Sequence, residues 1–356
     1  MPHRLSAMSR RAATLTVASV LVLALALVGS LMPVPYVALM PGPTSNTLGT
    51  NDKGQPLIRI DGRQTYDDKG HLNFTTVTYR GGPGGRIDLF TALRGWLAGD
   101  TAIVPEETIF PKDESQKQVD EENTRQMQDS QQSAEAAALN ELKIPISTQV
   151  VVDGVQKGKP ADGRLKPDDE ITALDGAAVT SVAQITGTMA KRKVGTPVTL
   201  TIKRAGKEEK QTITTVADST GKRAVVGVVL GDRYKFPFKI DISVGDIGGP
   251  SAGLMFSLAI VDKLTPGALT GGKFIAGTGT ITPEGKVGPI GGIQQKMVAA
   301  RRAGATLFLT PKDNCSDATS ARPDGLRLVR ADTLHDAVQA INALTSGKGP
   351  VPECSK

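Results

Sequence analysis

Positions 12–32 form an uncharged run of 21 residues that is rich in Leu, Val and Ala. A helix of that length crosses the hydrocarbon core of a bilayer. The run follows Arg10 and Arg11 directly, and positive flanks stay in the cytoplasm. The sequence therefore predicts a cytoplasmic tail at 1–11, a transmembrane signal anchor at 12–32 and a single-pass protein of the cell membrane whose later domains are extracytoplasmic.

A cleaved signal peptide is the alternative interpretation of the same run. Gly29 and Ser30 are small enough to precede a cleavage site. The apolar core of a signal peptide, however, is only about 7–15 residues long and ends at a clear cleavage site. The longer run favours an anchor that is retained.

Composition excludes several classes of function. With 356 residues, 39% of them hydrophobic and 22% charged, the chain has the balance of a folded protein of two or three domains. Three histidines and two cysteines leave no spacing for a zinc site, so we expect no metal and no cofactor. The net charge of +6 comes without a basic stripe carrying interleaved aromatics, so we expect no nucleic acid partner.

The segment after the anchor alternates between strand and helix patterns. Residues rich in β-branched and aromatic side chains predict strands at Leu57–Ile60 and Leu72–Tyr79. Helices are expected at Leu89–Leu97 and Gln126–Leu142, and the charged stretch Pro111–Glu122 is expected on a solvated surface.

The next block is rich in short strands separated by turns. Strands are expected at Val150–Val152, Ile171–Leu174 and Val198–Ile202, with a helix at Ser181–Lys191. The run from Lys159 to Gly176 resembles the "SPA…GLKPGDxIxxVNG" core of PDZ domains. The resemblance implies a small β-rich PDZ domain at 142–215.

PDZ domains bind a chain end or an extended peptide as an added strand. The position of their carboxylate-binding loop is expected at Ile144–Ser147, which lacks the Gly-Leu-Gly-Phe pattern of the family. Peptide binding is therefore expected without a stated preference for terminal carboxylates. A spacer domain that binds nothing remains the alternative.

A motif suited to a nucleophile lies at Gly248–Gly253, where Ser251 follows two glycines and a proline. The apolar run after it predicts a buried helix with Ser251 in its first turn. Backbone N–H groups and the helix dipole at that end can stabilise an oxyanion. The alternative is that Ser251 only caps the helix.

A second motif places a lysine on the inner face of a helix. Between Gly288 and Gly304 the apolar stripe follows Ile293, Met297 and Ala300, and Lys296 lies on it. Burial favours the neutral amine, which can then act as a general base towards a serine. The alternative is that the Lys296 side chain extends along the helix to water.

Together these motifs resemble the catalytic domain of Lon proteases. Pro-Ser-Ala-Gly at 250–253 matches the nucleophile motif, and the segment from Thr278 to Lys296 matches the family pattern "TG…G.V.PIGG…K". The resemblance implies Ser251 as nucleophile, Lys296 as base and Thr278 as the residue that orients the amine. Two positions depart from the family, since Gly248 and Thr280 stand where Lon enzymes usually have acidic residues.

With the anchor and the PDZ core, the whole chain resembles the membrane-anchored, PDZ-containing Lon-like proteases of Gram-positive bacteria. The implied fold is α+β, with a Lon-type proteolytic domain at 216–345 and a C-terminal tail at 346–356. The segment 33–141 is expected to belong to the Lon-like domain, because its helix from Met127 onwards resembles a Lon helix. The PDZ domain would then be inserted within the proteolytic domain.

The function implied is that of an ATP-independent serine endopeptidase. No G-x-x-x-x-G-K-[ST] motif occurs, so no nucleotide is expected, and substrates should be unfolded or flexible extracytoplasmic protein segments. The PDZ domain would bind a substrate or a regulator. Because Lon-type domains often form hexameric rings, the resemblance also allows a homo-oligomeric ring. The alternative function is a catalytically silent, anchored PDZ scaffold that holds an envelope protein.

The two cysteines, Cys315 and Cys354, lie 39 positions apart. An extracytoplasmic location is oxidising, and an even cysteine count there favours a disulfide. Two free thiols are the alternative.

Overall fold

The computed structural model describes residues 9–51, 53–67, 69–111 and 114–355. Most of the expected cytoplasmic tail, residues 1–8, lies outside the described residues, as do two residues of the charged stretch, Lys112 and Asp113. The chain divides into two compact units. The first unit combines Met1–Glu141 with Ile240–Lys356, and the second unit is Leu142–Lys239.

Helix α1 (Arg10–Leu31) contains the uncharged run and begins where the Ser9 hydroxyl accepts a hydrogen bond from the Ala12 N–H. Its 22 residues extend about 33 Å at 1.5 Å per residue. Its mean hydropathy of 2.3 makes it long and apolar enough to cross a membrane, although a signal sequence would have the same features. The helix ends where Met32 turns extended before Pro33, as a residue preceding proline tends to do.

The N-terminal part of the first unit continues with short strands and three further helices. The strands are β1 (Pro33–Val34), β2 (Tyr36–Asn46), β3 (Ile58–Asp61), β4 (His71–Arg80), β5 (Ile87–Asp88) and β6 (Ala102–Pro105), and the helices are α2 (Leu89–Leu97), α3 (Glu106–Ile109) and α4 (Gln116–Glu141).

Helix α4 begins ten residues earlier than the helix expected from Gln126. The Gln118 side chain accepts from the Ser115 N–H at 2.9 Å, and the Gln118 N–H donates to the Ser115 hydroxyl at 3.4 Å. This reciprocal pair is a capping box, and it starts a helix inside the charged stretch expected on the surface.

The second unit is a small antiparallel sheet with one helix. Its elements are β7 (Ser147–Val155), β8 (Glu170–Leu174), β9 (Ala177–Ala178), α5 (Val182–Ala190), β10 (Pro197–Arg204), β11 (Lys207–Thr214), β12 (Val216–Ala217), β13 (Ala224–Val225) and β14 (Val228–Lys235). The sheet order is β11-β10-β8-β7-β14. The unit runs past the boundary expected at residue 215, because β14 pairs along the full length of β7.

The rest of the chain returns to the first unit. Its elements are β15 (Lys239–Ile242), α6 (Gly253–Leu264), β16 (Phe274–Gly277), β17 (Thr280–Ile281), β18 (Val287–Gly288), α7 (Ile293–Arg302), β19 (Leu307–Pro311), a 3-10 turn (Lys312–Asn314), α8 (Cys315–Ser320), β20 (Arg327–Ala331) and α9 (Leu334–Ser346). The mixed α+β class expected from the sequence is confirmed.

The central sheet of the first unit draws its strands from both segments of that unit. Its order is β20-β19-β16-β4-β2-β6. The first four strands run parallel, whereas β2 is antiparallel to β4 and to β6. Strand β4 lies at the junction, with β16 on one side and β2 on the other.

Two helices sandwich β4. Phe74 packs edge-on against Phe256 of α6, with ring centroids 5.5 Å apart. Val77 packs against Gly292 at the start of α7, where an added Cβ would come within 2.6 Å of its side chain. Residues an odd number of positions apart on a strand face opposite sides of the sheet, so α6 and α7 cover opposite faces of β4.

The C-terminal tail is fastened along the edge of the sheet. The Arg330 N–H donates to the Pro352 carbonyl at 2.9 Å, and Arg327 forms an ion pair with Glu353 at 2.6 Å. Cys315 and Cys354 lie within disulfide-bonding distance, with their Cα atoms 5.1 Å apart. The tail thus continues the fold beyond α9.

We expect the purified chain to contain a disulfide between Cys315 and Cys354. Non-reducing peptide mass mapping should find the two cysteine peptides joined. Cys354→Ser should lower the free energy of unfolding by about 3–4 kcal/mol, because closing a loop of this length restricts the unfolded chain. The double variant with Cys315→Ser should be no less stable than the single one. Recovery of both thiols alkylated without reductant would contradict the bridge.

Candidate active site

Ser251 lies in a loop immediately before α6. The loop turns at Gly249, whose φ of +86° suits glycine, and Ala252 is the residue that caps the helix. The expectation that Ser251 lies in the first turn was therefore wrong, since it precedes the first helical residue by two positions. Gly249 and Pro250 allow the backbone to turn before the helix begins. Every residue of α6 is buried.

Helix α4 holds this loop in place. The Ser130 hydroxyl donates to the Pro250 carbonyl at 3.0 Å, and the Gly249 N–H donates to the Asn123 carbonyl at 2.9 Å. A Cβ on Gly248 would lie 2.7 Å from the Asn123 Cβ. Because α4 approaches so closely, Gly248 has no room for a side chain. This is one of the two positions at which the sequence departs from the Lon pattern.

Neither contact from α4 was assigned from the sequence. The sequence indicates only that the helix from Met127 onwards resembles one in Lon enzymes, and no motif singles out Ser130 or Asn123. The Ser130 hydroxyl and the Asn123 carbonyl each contact residues at least about 120 positions further along the chain. No local sequence pattern indicates such contacts.

Lys296 projects from α7 towards the serine. Its side chain is buried, with 3% of the residue exposed. The Nζ atom lies 2.6 Å from Ser251 Oγ and 3.0 Å from Thr278 Oγ1. The structure thus brings together the three residues singled out from the sequence, and the alternative in which the lysine extends to water is wrong.

Thr278 immediately follows β16, at the carboxyl end of that strand. Its hydroxyl donates to the Ser251 carbonyl at 2.9 Å, and the Gly279 N–H donates to the same carbonyl at 2.9 Å. Since the threonine proton is used in that bond, its oxygen is left to accept from the Lys296 amine. One amine hydrogen is thereby directed at Thr278, which leaves the nitrogen lone pair free to face Ser251.

The electrostatic state of the amine follows from its burial. Desolvation lowers the pKa of Lys296 from 10.5 to about 7, because the charged ammonium is disfavoured away from water. At neutral pH a large share of the molecules therefore carries a neutral amine within hydrogen-bonding distance of a serine hydroxyl.

A groove of about 1240 Å³ opens above these residues. It is lined by residues 75–79 of β4, by the α4 side chains of Asn123, Met127 and Gln131, and by residues 242–252. In the described residues, β16 pairs with β4 only from His71 to Phe74. The following part of β4 therefore presents an open strand edge to the groove.

The second unit carries a separate apolar pocket of about 440 Å³. It is lined by Ile185 and Met189 of α5 and by Val226, Val228 and Leu230 at β14. Strand β14 is an edge strand of its sheet. An edge strand beside a helix, with an apolar pocket between them, is the geometry that accepts a peptide as an added strand.

This geometry corrects the expected position of the carboxylate-binding loop. Ile144–Ser147 does not line the pocket, whereas Val225–Gly227 leads directly into its edge strand. Gly227 has a φ of +85°, and an added Cβ there would collide with Lys159. The expectation failed because the strand beside the pocket comes last in the unit instead of first, and only long-range pairing reveals it.

Comparison with known families agrees with both units. The Lon protease (S16) C-terminal proteolytic domain matches residues 236–341, and a PDZ domain matches residues 121–215. The chain belongs to the PDZ-containing Lon-like proteases. The Lon match includes Ser251, Thr278 and Lys296, while the PDZ match starts within α4 and stops before β14.

Individual relatives are Lon proteases. Lon protease 1 of Bacillus subtilis is 27% identical over 217 residues, which cover 58% of this chain and 28% of the relative. Lon protease of Rhizobium meliloti is 29% identical over 192 residues, which cover 52% of this chain and 23% of the relative. This Lon-like chain thus spans about a quarter of the length of these relatives. The matches support a serine protease.

Two solved PDZ domains are among the structures similar to part of this chain. The PDZ domain of an SdrC-like protein from Listeria monocytogenes is 32% identical, covers 23% of this chain and 85% of that chain, and gives a TM-score of 0.22. A corresponding PDZ domain from Listeria innocua is 30% identical with the same coverage of this chain and the same TM-score, and 92% of that chain is covered.

Proposed function

We propose that this chain is a membrane-anchored, ATP-independent serine endopeptidase that uses a Ser251–Lys296 dyad. The observation that carries the proposal is the 2.6 Å separation between Lys296 Nζ and Ser251 Oγ, with the amine buried and its pKa lowered to about 7. A nucleophile and a base at hydrogen-bonding distance, with the base oriented by a third group, form the arrangement used in covalent catalysis.

The chemistry begins with proton transfer from the Ser251 hydroxyl to the neutral Lys296 amine as Oγ attacks the peptide carbonyl. The positive end of α6 lies beside the developing oxyanion and stabilises it. The ammonium then returns its proton to the leaving amine, and an acyl-serine remains. The neutral amine next takes a proton from a water molecule as the water oxygen attacks the ester. The resulting ammonium gives that proton to Ser251 Oγ as the bond to the acyl carbon breaks, which releases the acid and restores the dyad.

The substrate would bind as an extended segment in the groove. The open edge of β4 beyond Phe74 offers backbone hydrogen-bonding groups next to Ser251, and a peptide can add there as a strand. A folded substrate cannot supply a free strand. Without a nucleotide-binding motif in this sequence to power unfolding, the substrates would be unfolded chains, tails or flexible loops.

The proposed location rests on α1 and the charges that precede it. An apolar helix of 22 residues behind Arg10 and Arg11 supports an anchor with its basic end in the cytoplasm. The proximity of Cys315 and Cys354 supports an oxidising compartment for the rest of the chain. The substrates would then be extracytoplasmic proteins.

The dyad can be tested by mutation and labelling. Ser251→Ala and Lys296→Ala should each reduce cleavage of an unstructured reporter peptide by at least about 1,000-fold, and the double variant should be little worse, because the two groups act as a unit. Thr278→Val should reduce the cleavage rate less than either of these variants, since Thr278 only orients the Lys296 amine. A serine-directed phosphonate should label Ser251 in the unaltered chain.

Ser257→Ala provides a matched control, because it removes a buried hydroxyl of α6 that contacts only backbone carbonyls. It should retain labelling and activity. Losses that multiply in the double variant would contradict the dyad. An unaltered chain that binds peptides but is neither labelled nor active would instead favour the catalytically silent PDZ scaffold.

The pH dependence of activity has a defined sign. Lys296 must be neutral to accept the serine proton, and its pKa is about 7. The value of kcat/KM should therefore rise about tenfold per pH unit below that pKa and level off above it, staying high at alkaline pH. Steady-state rates between pH 5 and 10 would measure this. A rate that falls above neutrality would exclude Lys296 as the base.

For the PDZ unit, we propose that a peptide adds to β14 and inserts an aliphatic side chain into the pocket beside α5. Met189→Asp, which places a charge in this pocket, should weaken binding of such a peptide by at least about tenfold, as burying an unpaired charge is costly. Ala183→Asp is the control, since it adds the same charge to an exposed position of α5. Fluorescence anisotropy with labelled peptides would measure both. Binding that survives Met189→Asp but is lost in Ile146→Asp would return the site to the originally expected loop.

A further inference from the structure

Helix α2 exposes a row of large apolar side chains. The exposed fractions are 45% for Phe90, 44% for Leu93, 75% for Trp96 and 84% for Leu97. The opposite side of the helix packs inwards through the buried residues Ala92 and Gly95. An exposed helix normally presents polar residues to water, whereas α2 is apolar on both sides. Its outer face therefore needs an apolar partner.

The position of α2 is tied to the end of the anchor. Strand β1 directly follows the anchor helix and pairs with β5, which directly precedes α2. The Asp88 carboxylate caps α2 by accepting from the Thr91 N–H at 2.9 Å. The Phe90 ring packs on Gly29 of α1, where an added Cβ would lie 2.8 Å from it.

This contact sets the depth of α2 relative to the anchor. Gly29 is two residues before the last residue of α1, which corresponds to about 3 Å along the helix axis. A span of about 33 Å matches a hydrocarbon core of about 30 Å. The end of α1, and α2 with it, therefore falls at the boundary between acyl chains and headgroups.

We infer that α2 lies in the interface of the bilayer that α1 spans, with its outer apolar face inserted among the lipids. This inference rests on the proposed anchoring by α1. Leu27 and Leu31 are exposed on α1, and the Phe90 ring that contacts Gly29 belongs to the exposed apolar face of α2. A bilayer that covers the first helix covers the second, whereas a second copy of the chain would have to displace lipid from α1.

The side-chain chemistry fits this partner. Tryptophan is enriched at membrane interfaces, and helices with one apolar face bind there through buried apolar area. Arg94 is the cation in the last turn of α2 and is exposed beside the same face, where it can reach headgroups. With one cation on the helix, insertion should depend on apolar burial and should persist in zwitterionic lipid.

Trp96 is the only tryptophan of the chain, so its fluorescence reports this face directly. The full chain would be reconstituted in phosphatidylcholine vesicles with or without lipids brominated near the top of the acyl chains. Contact with lipid should shift the emission to the blue, and brominated lipid should reduce it about twofold, as expected for an interfacial tryptophan. Flotation of the vesicles would report anchoring independently.

A variant with Leu93→Asp and Leu97→Asp should float with the vesicles, because α1 is unchanged, but lose most of the quenching. Val194→Asp is the control, since it charges an exposed apolar residue in the second unit and should leave quenching unchanged. Cleavage of a soluble reporter peptide should be the same in all three proteins.

The outcomes separate the two proposals. Loss of flotation in the unaltered chain would overturn both the anchoring and the interfacial helix. Flotation with Trp96 unaffected by brominated lipid and open to aqueous quenchers would overturn the interfacial helix alone. Blue-shifted Trp96 emission that is not quenched by brominated lipid and that depends on protein concentration would also overturn the interfacial helix. That result would indicate that a second copy of the chain covers the outer face of α2.

Discussion

The site depends on the burial of one amine. Transferring the Lys296 ammonium from water to the protein interior costs free energy. The folded protein reduces this cost because the buried amine is largely neutral and has Thr278 and Ser251 as hydrogen-bond partners. Its pKa falls from 10.5 to about 7, so between these values the unfolded chain binds a proton that the folded chain does not. Burial of the amine therefore opposes folding at neutral pH, and this opposition declines as the pH rises towards 10.5. Such a cost is reasonable where a reactive base is needed.

Holding that amine in place requires most of the first unit. Ser251 lies in the loop before α6, which covers one face of β4, and Lys296 belongs to α7, which covers the other face. The two side chains meet at the carboxyl end of β16. Thr278 joins them because it follows the last residue of that strand. Helix α4 adds the clamp on the serine loop through Ser130. The site is thus assembled from residues that precede the second unit in the sequence and residues that follow it.

Both proposed peptide-binding sites lie at strand edges. The free end of β4 lies in the groove above Ser251, and β14 borders the apolar pocket of the second unit. The outer edge at β20 is partly covered by the tail that carries Cys354. Strands β1 and β5 pair with each other between α1 and α2. Unpaired edges thus occur where a peptide is proposed to bind.

The features that could be predicted from the sequence are encoded locally. The uncharged run specifies α1, the pattern at Leu89–Leu97 specifies α2 at its observed bounds, and the motifs around Ser251 and Lys296 single out the site. A capping box at Ser115 was equally local and could have shown where α4 begins. These signals depend on residues within one or two turns of each other, or on resemblance to a known family.

Features that require contact between distant segments of the chain could be seen only in the folded protein. The 2.6 Å approach of Lys296 to Ser251, the contact of Asn123 with the serine loop and the pairing of β14 with β7 each join residues far apart in the chain. The peptide pocket was misplaced from the sequence for this reason, because its edge strand comes at the end of the unit. Strand pairing is set by the free energy of the whole sheet and core, which no short stretch of sequence contains.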